Sequence, residues 1–110
     1  MSNFAKTPPT PYYAVIFTSL RTEGDNGYGE MAARMEEMAA NQPGYLGIES
    51  ARDNTGITVS YWDSLESIKA WKQNVEHQAA QSKGRQLWYQ SFKIRICKVE
   101  HDYGFERPAL

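Results

Sequence analysis

Two tryptophans and a histidine, Trp62, Trp71 and His77, fall within the stretch "YWDSLESIKAWKQNVEHQAAQ", Tyr61 to Gln81. Nowhere else does the sequence gather large aromatics and a titratable ring so closely. An indole offers a broad, flat, apolar wall on which a planar ring can lie. An imidazole with a reference pKa of about 6.5 can take a phenolic proton at neutral pH. Together the three residue types suit a pocket that holds a flat molecule and deprotonates it. The competing explanation is a helix that uses tryptophan to fill a core.

The local pattern decides which way each residue points. Leu65, Ile68, Trp71 and Val75 follow one another at spacings of three, three and four, a single apolar stripe on a helix, so Trp71 is expected to face the sheet. Trp62 and Ser60 are two apart in an alternating run and share a strand face. His77 admits two placements. On an uninterrupted helix it lies about 120° from Trp71, beside Gln73 and Gln81 on the solvated side. If the helix breaks near Asn74–Glu76, His77 turns back toward the sheet. Periodicity alone favours the solvated placement, although Val75 and Ala79 read as a restarted apolar phase and Glu76 would suit a new helix N-terminus after a break.

The elements around this stretch follow from periodicity. Residues 1–11, "MSNFAKTPPTP", hold three prolines and no period, and read as a flexible arm. Residues 12–103 form one domain, and 104–110 a tail. "YYAVIFTSLR" (Tyr12–Arg21) is a strand that is largely apolar on both faces. After the turn cluster "TEGDNGYG", Met31, Met35 and Met38 recur at helical spacing until Pro43 and Gly44 stop the helix. That methionine stripe is core filler, as flexible thioethers commonly are. "YLGIESARD" and "GITVSYWD" flank a short glycine-containing loop and read as an antiparallel hairpin. Asp63 is placed as the N-cap of the second helix with Glu66 as its capping-box partner. "LWYQSFKIRICKVE" is the last strand, with Phe92, Ile94 and Ile96 on one face and Lys93, Arg95 and Cys97 on the other. The order strand, helix, strand, strand, helix, strand is α+β, the ferredoxin-like βαββαβ arrangement of a four-stranded antiparallel sheet with both helices on one face.

Two helices cover only one side of such a sheet. The first strand is apolar on both sides, and the third carries Ile57, Val59 and Tyr61 away from Trp62. A soluble chain rarely leaves so much apolar surface in water, so a homodimer formed through the open sheet face is expected. Other partners are narrowed by composition. The 110 residues carry 12 Lys and Arg against 13 Asp and Glu, a net charge of −1, with no basic stripe for nucleic acid. No apolar run is long enough to span a membrane and the N-terminus has no signal-peptide pattern, so a soluble cytoplasmic protein is expected. His77, His101 and the single cysteine Cys97 do not make a metal set, and no P-loop, nucleophile elbow or dinucleotide glycine motif is present.

The segments "GYLGIES", "VSYWDSLESIKAWKQNVEHQAAQ" and "WYQSFKIRICKVEHDY" resemble the antibiotic biosynthesis monooxygenase (ABM) family across roughly residues 12–103. The most telling pieces are "PGYLG" opening the second strand, "SYW" ending the third, and "AWK" and "EHQAA" on and beyond the second helix. The resemblance implies a dimeric α+β barrel that oxygenates flat electron-rich molecules, quinols and aromatic polyketides, with molecular oxygen and no cofactor. It implies a break in the second helix just before the Glu-His pair, which turns His77 inward as the base and is the expected arrangement, with Trp71 as the catalytic aromatic on the second helix, and Trp62, Ser60 and Thr18 as substrate-binding residues. Ser60 falls where quinone-forming members place an asparagine. Thr18 stands where the haem-degrading branch has another, and that branch sets its haem-binding histidine about a turn further from the tryptophan than His77. The alternatives are a non-catalytic ligand-binding or stress-related dimer of the same fold, and a haem-degrading monooxygenase.

Overall fold

A computed structural model describes residues 3–82 and 85–109; at 77–82 and 85–86 the description is of the backbone. The elements run β1 (Tyr12–Arg21), α1 (Tyr28–Ala40), β2 (Tyr45–Arg52), β3 (Thr55–Trp62), α2 (Leu65–Ser82), α3 (Arg85–Trp88) and β4 (Tyr89–Val99). The four strands form one antiparallel sheet in the order β2-β3-β1-β4. This is the expected ferredoxin-like arrangement, with the single helical turn α3 added where the sequence suggested the last strand already under way. None of the described helices is long and apolar enough to cross a membrane.

Register sorts the strand residues into two sides. Trp62 is opposite Tyr13, Ser60 is opposite Val15 and Ile48, and Val15 is opposite Ile96, so these lie on one side with α1 and α2. The core gathers there: Trp62 is fully buried and packs with Ala39 of α1 and Ile68 of α2, while Tyr13, Val15, Tyr45 and Trp71 close around them. Tyr12, Ala14, Ile16, Thr18 and Leu20 point to the other side, with Ile57, Val59 and Tyr61 opposite or beside them. Alternation at period two is the whole cause of this division.

The turns are built by identifiable residues. The β2–β3 hairpin needs only Asp53 and Asn54 between its strands. The Asp25 carboxylate accepts from the amides of Gly27 and Gly29, both at 3.1 Å, and so satisfies donors at the start of α1. After α1, Gly44 takes φ +86°, and its carbonyl accepts from the Asp63 amide at 2.9 Å. A Cβ at Gly44 would overlap the Ser67 hydroxyl, so both conformation and space require glycine there. The cap of α2 is Ser64, one residue later than expected: its Oγ accepts from the Ser67 amide at 3.1 Å, three residues on. Asp63 instead accepts from the Ser67 hydroxyl at 2.8 Å.

α2 also differs from expectation in being unbroken from Leu65 to Ser82. Trp71, Val75 and Ala79 are spaced by four, so a straight helix keeps all three on one stripe, and no glycine or proline interrupts the segment. The apolar phase therefore required no restart.

On the side away from the helices, the first and last described segments meet. The Ala5 amide donates to Glu49 Oε2 at 2.9 Å, and the Tyr61 hydroxyl donates to Glu49 Oε1 at 2.7 Å. Thr7 Oγ1 donates to the Tyr12 hydroxyl at 3.1 Å, and that hydroxyl donates to the Asp102 carboxylate.

Two expectations follow. Trp62→Ala, which empties the centre of the core, should cost about 3–5 kcal/mol of stability, read from urea unfolding. Burial, with Glu49 beside it, pushes the Tyr61 phenol up to about 12. The unfolded chain releases that proton near pH 10, about the reference value, so the folded state holds more protons between the two values. Stability from this group is therefore complete below pH 10 and lost as pH rises toward 12, and Tyr61→Phe should flatten that part of the stability–pH curve.

Candidate functional site

The helix side of the sheet is not evenly covered. Over β3 it is closed by Ala39, Ile68 and Trp71, but over β4 it is open: Phe92, Ile94 and Ile96 are 36%, 47% and 50% exposed. These three stand opposite Ser19, Phe17 and Val15 of β1, so five apolar side chains make a trough along β1 and β4. Apolar strand residues that a helix layer should cover are left reachable by a flat ligand. The aromatic end of the trough is formed by Phe17, Tyr89 and Phe92, whose ring centroids lie 5.4–5.8 Å apart.

Trp71 borders this space from α2. Its ring stacks on Trp62 at a centroid separation of 6.0 Å and an interplanar angle of 25°, while Tyr45 meets Trp62 edge-on at 5.6 Å. Trp62 Nε1 donates to Ser60 Oγ at 2.9 Å. The structure thus brings Trp62, Trp71 and Ser60 together, as anticipated, but in unequal roles. Trp62 has no accessible surface and Ser60 only 8%, and the hydroxyl is engaged by the indole. Trp62 and Ser60 support Trp71 from behind; Trp71 is half-buried, and it and Val15 of the trough both pack against the Trp62 cluster.

Thr18 is not brought to this place. It stands opposite Ile57 and Lys93, on the side of the sheet away from the helices, because it is an odd number of residues from Val15 and Phe17. Phe17 is the residue of β1 that the trough uses. The side chain of His77 lies outside the described residues; its backbone belongs to the continuous α2, so the helix break expected near Asn74–Glu76 is not there.

At the far end of the trough, two arginines meet two phenols. Arg21 lies 3.5 Å over the ring of Tyr28 and donates from Nε to the Trp88 carbonyl at 3.2 Å. Arg52 Nη2 donates to Ser19 Oγ at 2.5 Å. The Tyr89 phenol is raised far above its ordinary range, chiefly by burial and by its hydrogen bond with Tyr28, with Arg52 and Arg21 opposing the rise. It stays protonated at neutral pH and serves as a hydrogen-bonding group rather than a base. Sequence reading named the faces of β1 and β4 but did not assign Phe17, Phe92, Ile94 or Ile96 to the site; strand parity was the available signal. Nothing in the sequence pointed to Arg52, whose placement depends on cross-strand register.

No group of three His, Cys, Asp or Glu side chains among the described residues is arranged to hold a metal ion, and Cys97 is exposed and unpaired with another cysteine. A hollow of about 150 Å³ between Met31, Arg34 and Trp88 lies at the start of α1, away from Trp71.

The fold is shared with solved structures. SnoaB of Streptomyces nogalater, described as a cofactor-independent oxygenase, superposes with a TM-score of 0.68 at 10% identity, covering 84% of this chain and 97% of SnoaB. MhuD of Mycobacterium tuberculosis, described as a heme-degrader with two hemes bound in its active site, gives 0.61 at 23% identity, covering 84% and 99%. In sequence, the Bacillus subtilis (strain 168) protein YqjZ, described as uncharacterized, is 54% identical over 108 residues, covering 96% of this chain and 95% of YqjZ. Residues 11–83 match the model of the antibiotic biosynthesis monooxygenase family, a span that contains both Trp62 and Trp71. This chain is a member of the antibiotic biosynthesis monooxygenase family.

Proposed function

We propose that this protein is a cofactor-independent monooxygenase of flat, electron-rich aromatic molecules, of the quinol or polyketide-like class. The observation that carries the reading is the open apolar trough beside Trp71 on the helix side of the sheet, in a chain of the ABM family. A planar ring laid on Phe17, Ile94 and Ile96 and flanked by Trp71 replaces water on both its surfaces and theirs. Once deprotonated, such a ring is a reductant. It passes an electron to O₂, and recombination at the ring carbon forms the C–O bond; loss of water then leaves a carbonyl. For an anthrone the balance is CH₂ + O₂ → C=O + H₂O, and the substrate supplies all the electrons. The chain has then to hold the ring, accept a proton and limit water.

The proton acceptor in this reading is His77, assigned by the family resemblance; on the continuous α2 it is set about 120° round the helix from Trp71, so it would take the proton at the rim of the site and not beside the Trp71 ring. Purified, chelator-treated protein should consume O₂ with dithranol or simple hydroquinones. His77→Ala should keep the fold by circular dichroism while losing about 10²-fold in turnover. Binding of these compounds with no oxygen uptake would instead favour a ligand-binding dimer without chemistry. A Soret band on haem addition that bleaches with a reductant would favour haem breakdown.

The homodimer belongs to the same proposal. Away from the helices, Ile57 and Leu20 are 46% and 40% exposed, and Ile16 and Val59 form the next row beyond Ile57, half-buried. A second copy laid face to face would cover this patch, as a self-complementary interface does. Sedimentation should give twice the chain mass for the wild type, and Ile57→Lys, which buries a charge at the centre of the contact, should give the monomer.

A further inference from the structure

The end of the trough away from Trp62 has a chemistry that oxygenation of a neutral ring does not call for. Arg52, Gly56, Ser19 and Phe92 form one row across the sheet, each opposite the next on β2, β3, β1 and β4. Gly56 leaves its place in the row empty, and Arg52 fills it: a Cβ on Gly56 would overlap the guanidinium. The guanidinium lies flat across β3 and donates to Ser19 Oγ on β1 at 2.5 Å, where Ser19 is 2% exposed. That engages one of its five donors.

Among the described residues no carboxylate pairs with it, and the ion pair formed is Lys72 with Glu76, on the surface of α2. The neighbouring Arg21 adds positive charge at the same end but spends its donors on the carbonyls of Trp88, Gly24 and Asp25. The Tyr89 phenol feels both guanidiniums. Arg52 itself is exposed on its open side, beside the Phe17–Phe92 pair at a centroid distance of 5.4 Å. A held, forked cation next to an aromatic platform matches a planar acid: ring on the phenylalanines, carboxylate on the fork.

We propose that Arg52 is the anion-recognising residue of the trough, and that the substrates it selects are flat aromatic carboxylic acids. This rests on the trough being the substrate site. From Trp62 to Gly56 is six residues of strand, about 20 Å at ~3.4 Å per residue. The acid group is therefore held at the end remote from Trp62, which sets one orientation for an elongated ring system.

The test is calorimetric titration of wild type, Arg52→Gln and Arg52→Lys with 2-naphthoate and with its neutral isostere 2-naphthamide. Wild type should prefer the naphthoate by about tenfold or more, the scale of a charge-assisted fork, and the preference should shrink with added salt. Arg52→Gln should bind the two alike, with its amide affinity equal to that of wild type, which separates lost recognition from lost folding. Arg52→Lys should recover part of the preference. Equal affinities in wild type, or a preference that survives Arg52→Gln, overturns the assignment and leaves the trough standing. If neither probe binds wild type, the trough as substrate site fails, and the assignment with it.

Discussion

The indoles of Trp62 and Trp71 hold the second helix to the sheet. Trp62 ends β3, and its ring is enclosed by Tyr45, Ala39, Ile68 and Trp71, so residues from two strands and both long helices converge on it. Its one polar atom is satisfied by Ser60 on the same strand, so the ring is buried without an orphaned donor. Because Trp71 stacks on a ring that is fully buried, its orientation is set by the core and not by a loop.

Strand parity governs what remains. Each inward residue of β3 has a counterpart on β1, and each of those on β4, so helix coverage over β3 and its absence over β4 divide one apolar surface into core and trough. The same parity leaves Ile57 and Leu20 on the opposite side. One alternating pattern thus supplies two separate apolar surfaces, one suited to a small molecule and one to a second chain.

Much of this was legible in the residues. The alternation of β1, β3 and β4 and the stripe through Ile68, Trp71 and Val75 gave the element order, the sheet faces and the partnership of Trp62 with Trp71. Three features were not. Ser64 and Asp63 are both good caps at adjacent positions, and which one takes the role depends on how Gly44 docks against Asp63 and Ser67. Thr18 was assigned by likeness to a family position, whereas its parity with Val15 already set it on the far side. Arg52 could not be found, since a glycine in a strand announces close approach without saying what approaches.

The contacts of Ala5 with Glu49 and of Tyr12 with Asp102 bring segments near both ends of the described chain onto the sheet face that lacks helices. Tyr12 and Ala14 are each only 4% exposed on that face, whereas Leu20 and Ile57, toward the other end of the strands, are 40% and 46% exposed. The face is therefore shielded at one end by the chain itself and bare at the other, so its apolar surface is graded along β1 and not uniform.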